Sequence, residues 1–223
     1  MVVSQRKLVR LLVIVAALLA FFHVVAMVAY YRGFLGSDDW IHIAFFDLDE
    51  EEAFGTWFST MLLMLASLLL AVQAHICKTE SNRWVSWWLA LSVGFLILSI
   101  DEVVAFHEYV NTVVEDTRWT TFAVGLVLIV GLAYLPFLRA LPPRSRTLFI
   151  VAGVLYIGGA VGVERATDWY DDQELLDTLG YNLWTAVEEV LEISGVTLFI
   201  YAVIGHICDN ADGHAIIRIT MTD

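Results

Sequence analysis

Six apolar blocks, each about 20 residues or more, divide this chain, and no other feature restricts its fold as strongly. They run at about 8–30, 55–77, 84–108, 119–138, 147–168 and 181–207. At about 1.5 Å per residue, a helix of that length crosses roughly 30 Å of hydrocarbon. Lipid offers backbone groups no water, so a spanning segment is a helix or a strand of a closed barrel. Barrel strands alternate apolar and polar residues, and these blocks do not. The expected fold is all-α: a polytopic membrane helix bundle of six transmembrane helices, with residues 1–223 as a single transmembrane domain. Composition agrees, at 59% hydrophobic and 17% charged, where soluble domains run near half and a quarter.

Arg6, Lys7 and Arg10 precede the first block, as they would in a signal peptide. The block is longer than a signal-peptide core, and Met27 with Ala29 makes a poor small-x-small cleavage site, so a retained helix is expected. Orientation follows from Lys and Arg, which favour the cytoplasmic side of short loops. With the N-terminus inside, Arg6, Lys7, Arg10, Lys78, Arg83, Arg139, Arg144, Arg146 and Arg218 are cytoplasmic, and only Arg32, Arg118 and Arg165 lie outside. Both termini are therefore placed in the cytoplasm (N-in/C-in) of a multi-pass membrane protein. Acids show the opposite bias, since only Glu80, Asp209, Asp212 and Asp223 fall inside. An outer surface of that sign attracts cations and repels nucleic acid, which is excluded as a partner.

The longest stretch between spans, 31–54, places Trp40, Ile41, Ile43, Phe45 and Phe46 among acids and is expected to lie along the outer interface. Trp84, Trp87, Trp88, Trp119, Trp169 and Trp184 fall near span ends, where indoles anchor helices at the headgroups. Gly158 and Gly162 form a small-xxx-small pair suited to close helix packing. Cys77 and Cys208 sit near cytoplasmic helix ends, where thiols stay reduced.

Carboxylates inside the apolar blocks carry the functional argument. Block three holds Asp101, Glu102, His107 and Glu108; block five holds Glu164 and Asp168; block six holds Glu188, Glu189 and Glu192. Intramembrane ionisable groups cost of order 3 kcal/mol each on insertion scales, usually face the bundle interior and mark functional sites. Counted along their spans, Asp101, Glu164, Glu188, Glu192 and His23 all reach the outer half of the bilayer. At about 100° per residue, Gly94, Asp101, Ala105, Glu108, Thr112 and Glu115 share one stripe, and Glu102 and His107 point to different flanks. On block six, Glu192 is the deepest acid of an arc with Asn182, Thr185, Glu188 and Glu189, opposite Leu183, Ala186 and Val190.

Acids so crowded cannot all ionise without compensation; they share protons, pair with cationic groups or hold a metal. Asp101, Glu108, Glu164, Asp168, Glu188, Glu192 and His23 are the candidate cation or proton site, with Arg165 as the nearby cation of a structural clasp. Oxygen ligands with one imidazole suit a divalent cation such as Mn, Mg, Ca or Fe. A di-iron bundle needs two Glu-x-x-His pairs, and Val104 stands three residues before His107. His75 with Cys77 and His206 with Cys208 end blocks two and six, but H-x-C turns its two side chains about 200° apart on a regular helix.

Intramembrane CAAX-type proteases carry Glu-Glu-x-x-x-Arg, and here Ile193 follows Glu188-Glu189 at the Arg position. The segments Ser99-Ile100-Asp101-Glu102 with His107-Glu108, Gly159-Ala160-Val161-Gly162-Val163-Glu164 and Glu188-Glu189-Val190-Leu191-Glu192-Ile193-Ser194-Gly195 resemble an uncharacterised group of prokaryotic six-span membrane proteins. That resemblance implies a shared signature, a place in a prokaryotic plasma membrane and no particular activity. Three functions stay open: an outward-facing carboxylate cluster that binds a cation or relays protons in transport or sensing, a metal-dependent membrane enzyme using the same acids, and an accessory subunit with a structural acid clasp.

Overall fold

A computed structural model describes residues 4–36, 43–50, 52–113 and 118–210, with the side chains of Glu108, Thr112 and Asn210 outside that description. The helices are α1 (Gln5–Tyr31), α2 (Phe54–Thr79), α3 (Val85–Val104), α4 (Phe106–Val113), α5 (Trp119–Ala140), α6 (Pro143–Ile157), α7 (Glu164–Asp172) and α8 (Leu179–Asn210). A π-helical segment, Gly158–Val163, joins α6 to α7. Six helices are long and apolar enough to cross a membrane, α6 through α7 counting as one. The fold is an all-α membrane helix bundle, and the described residues contain no strand.

The central element is α8, which packs against α1, α2 and α6. Its Ile193, Val196, Phe199, Ile200 and Val203 are all buried. Hydroxyls fasten α2 to α3: Ser67 Oγ donates to the Ser92 carbonyl at 2.8 Å, and Ser92 Oγ returns a bond to the Ser67 carbonyl at 2.9 Å. Small hydroxyl residues are the usual fastening between helices in lipid, where apolar burial supplies no attraction. Along α5, by contrast, Phe122, Leu126, Leu128, Ile129 and Leu132 are exposed, as a lipid-facing helix requires.

Two expectations about single helices are overturned. Block three is not one helix over 84–108: Ala105 adopts φ 46°, ending α3 at Val104. Left-handed backbone costs an L-residue about 1–2 kcal/mol, and a 2.7 Å bond from the Ala105 N–H to the Asp101 carbonyl helps hold it. The stripe through Asp101, Ala105 and Glu108 therefore does not continue. Block five lies within a longer helical run that starts at Pro143, where a first-turn proline loses no helical bond, but it is not one regular helix. Its π-helical turns rotate Glu164 and Asp168 away from the phase a regular helix would give them relative to Gly153.

The tryptophans are also not uniform. Trp169 and Trp184 are exposed, but Trp88 is buried, with its ring 4.9 Å from Phe137, 5.9 Å from Phe149 and 5.1 Å from His206. It is a core residue and not a headgroup anchor. Trp40 and Ile41 lie outside the described residues, and Phe46 packs on Phe22 and Phe54.

Candidate functional site

The break at Ala105 builds the first part of the site. It folds α4 back so that His107 meets Asp101 six residues earlier. Asp101 Oδ1 accepts the His107 backbone N–H at 3.2 Å, and Oδ2 lies 2.8 Å from His107 Nδ1. A carboxylate on the first N–H groups of a helix is a favourable cap. Both side chains are partly exposed, so the pair borders the acid cluster at its accessible edge.

Trp119, at the start of α5, links that pair to Glu164. Its Nε1–H donates to Glu164 Oε1, and its ring centroid lies 5.0 Å from that of His107. Asn111 holds the Trp119 backbone N–H at 2.8 Å, which ties α4 to α5 and aims the indole. The residues Asp101, His107, Trp119 and Glu164 thus form one continuous polar edge.

Asp168 belongs to a different contact. Arg118 reaches Asp168 at 3.4 Å, Asp171 at 3.0 Å and Asp172 at 2.7 Å. Burial works against its charge, but the bonds to Asp171 and Asp172 outweigh that and raise its pKa above the usual guanidinium range. Arg165, expected to be the clasping cation, instead donates to the hydroxyls of Thr120 and Thr121 at 3.3 Å each. The π segment accounts for the difference, because it changes the direction in which residues 164–168 project.

Deeper in the bundle, Glu188, Glu189 and Glu192 project from α8. Asn182 and Thr185 of the same arc are buried while Leu183 and Val190 are exposed, as the helical phase predicts; Ala186, expected on the outer side, is buried too. Glu192 lines a cavity of about 10 Å³ with Ser59, Glu102, Tyr156 and apolar side chains of α2 and α8. Two glycines bring the backbones together there. A Cβ on Gly159 would meet the Glu188 carbonyl oxygen and the Glu192 Cγ, each at 2.7 Å; one on Gly195 would meet the Tyr156 nitrogen at 2.7 Å. Gly158 has open space, and a Cβ on Gly162 would find only a 3.8 Å neighbour, so the expected pair is not the packing pair.

His23 stands apart. The Leu48 N–H donates to its Nδ1 at 3.1 Å, and Nε2 lies 2.9 Å from the Asn182 carbonyl oxygen. Asp47 Oδ1 lies 3.4 Å from the same Nδ1, and the buried ring fastens α1 and the 47–48 segment to α8. Ten residues separate Asn182 from Glu192, or about 15 Å along the helix, so His23 is not beside the deep acid. Glu108's side chain is outside the described residues. At the opposite end, His206 Nδ1 lies 3.2 Å from Ser145 Oγ and Cys77 Sγ accepts from Gln73, so the two H-x-C segments are not joined into a site.

Among the described residues, no group of three His, Cys, Asp or Glu has a geometry suited to one metal ion. The acids instead occur as an edge group and a deep group.

The family model for Domain of unknown function (DUF8692) matches residues 11–206. The chain belongs to this family. Neither a curated protein nor a solved structure matches it. The DUF8692 region takes in both groups of acids, from His23 to Glu192. Within it, sequence reading named His107 without assigning it, took Trp119 for a headgroup anchor and Arg118 for an outer basic residue, and passed over Ser59 and Tyr156. Glu102 had a signal, an acid beside Asp101, but a straight-helix phase turned it to the flank. Nothing in the sequence pairs Trp119 with Glu164, 45 residues away.

Proposed function

We propose that this integral membrane protein relays protons through its intramembrane carboxylates, in transport or in sensing. The observation that carries this reading is the lack of compensating cations. Among the described residues, Glu102, Glu188, Glu189 and Glu192 make no salt bridge, and Arg118 serves Asp168, Asp171 and Asp172 instead. Acids gathered in a bundle without cations must share protons or take up a positive ion. Their arrangement as successive pairs, with an imidazole at the edge, suits stepwise proton transfer better than a single ligand shell. Asp101 and His107 would exchange protons with the aqueous side, Glu164 and Glu188 would pass them inward, and Glu192 would hold the deepest one. The distribution of its Lys and Arg residues supports cytoplasmic termini, and its resemblance to prokaryotic six-span proteins supports a prokaryotic plasma membrane.

The test is proton flux into proteoliposomes under an imposed pH gradient, read with an enclosed pH dye. Wild-type protein should conduct, Glu192→Gln and Glu164→Gln should lose tenfold or more, and Glu80→Gln should match wild type. Equal flux in wild type and Glu192→Gln would overturn the reading. Flux that follows a divalent cation gradient rather than the pH gradient would replace it with the cation-binding alternative.

A further inference from the structure

The proton relay ends on Glu192 without naming a partner for that residue's proton, and the cavity that Glu102 and Glu192 both line supplies one. We propose that Glu102 and Glu192 share one proton through a single water molecule held in that cavity, with Ser59 as the water's third partner. This rests on the relay reading for its purpose but not for its chemistry.

The volume, about 10 Å³, is at the lower limit for one water. Ser59 is only 7% exposed and lines the cavity, and its Oγ faces Glu102 without completing a well-formed hydrogen bond. Buried hydroxyls are seldom left so, and an ordered water is the usual remedy. A buried water needs two to four polar partners; the Ser59 hydroxyl and the Glu102 and Glu192 carboxyls supply three, with Tyr156 beside them. Leu62, Leu63, Ile193 and Val196 form the remaining, apolar walls.

The charges around the pair are nearly all negative. Asp101 and His107 face Glu102 from α3 and α4. Glu188 of α8 and Glu164 of α7 face Glu192, with Glu189 adjacent. No Arg or Lys is bonded to either carboxyl among the described residues. One proton on two carboxyls removes their mutual repulsion. The protonated acid donates to the water, and the water donates to the carboxylate. Moving a proton along both bonds exchanges the two acids' states with no net charge change. Gly159 and Gly195 let α6 and the π segment approach α8 closely, which sets Tyr156 beside the cavity.

Infrared spectroscopy of the protein in nanodiscs, in H₂O and D₂O, tests this through the carbonyl stretch of a protonated carboxyl. Glu102→Gln and Glu192→Gln should each shift or remove the same deuterium-sensitive band. Ser59→Ala should shift that band and keep it, Glu80→Gln should leave it alone, and NaCl at constant pH should not change it. Helical circular dichroism establishes that each variant is folded, and Glu192→Asp replaces Glu192→Gln if the latter is not. A band unaffected by both Glu substitutions, separate bands for the two acids, or loss of the band on adding NaCl would overturn the proposal. Paired behaviour without flux would refute the relay alone, and flux with separate bands would refute the shared proton alone.

Discussion

Gly159 lies directly on Glu192: a Cβ at position 159 would stand 2.7 Å from the Glu192 Cγ and 2.7 Å from the Glu188 carbonyl oxygen. The deep acid is held where it is because the facing backbone has no side chain. Gly195 repeats the relationship one turn along, against Tyr156 and Ala152. Since backbone atoms cannot swing aside, Gly159→Ala and Gly195→Ala should each cost about 1–3 kcal/mol. Gly158→Ala should be neutral or gain up to about 1 kcal/mol from helix propensity. Unfolding titrations in mixed detergent micelles would measure all three, and equal stability of Gly158→Ala and Gly159→Ala would refute the packing argument.

Arg118 and Arg165 should differ in salt dependence. Asp171 and Asp172 are exposed partners, so the Arg118 network is worth about 1 kcal/mol or less. Arg118→Gln should lose that amount at low ionic strength and little at 1 M salt, where the screening length falls to about 3 Å. Arg165→Gln breaks two hydroxyl contacts and a longer-range attraction to Asp168, and should show a smaller salt dependence than Arg118→Gln. An Arg165→Gln as salt-sensitive as Arg118→Gln would restore it as the clasping cation.

Replacing His23 separates structural fastening from function. His23→Leu strands the buried Leu48 N–H, at about 1–3 kcal/mol. Stability should fall by that much in a denaturation assay, while proton flux per folded molecule stays within a factor of two of wild type. A tenfold flux loss in folded His23→Leu would return the imidazole to the relay.

Orientation is open to direct labelling. Single cysteines at Asp171 and at Arg144, which lie at opposite ends of the fifth span, should differ in intact cells. An impermeant thiol reagent should modify the first and not the second. Modification at position 144 alone would invert the proposed topology.

Span number was legible because it depends on additive, local properties. Hydropathy accumulates residue by residue, so the block at 55–77 appears as Phe54–Thr79 and that at 119–138 as Trp119–Ala140. Side-chain direction on α8 was legible for the same reason: the helix is unbroken from Leu179 to Asn210, so the phase that buries Asn182 also carries Glu192 inward.

What only the tertiary structure decided begins where a helix leaves that regular geometry. One left-handed residue, Ala105, sets His107 against Asp101 and ends the stripe that was to reach Glu108. The π-helical turns of Gly158–Val163 redirect Glu164 toward Trp119 and leave Asp168 to Arg118. Neither departure has a local cause strong enough to read in advance, because alanine favours the α-helix and the glycines of Gly158–Val163 fit close helix packing as well as a π turn. Helical phase advances by a constant angle only while the hydrogen-bond register holds. A single irregular turn therefore reassigns every partner beyond it, and contacts between helices, not propensities within them, determine where such a turn is stable.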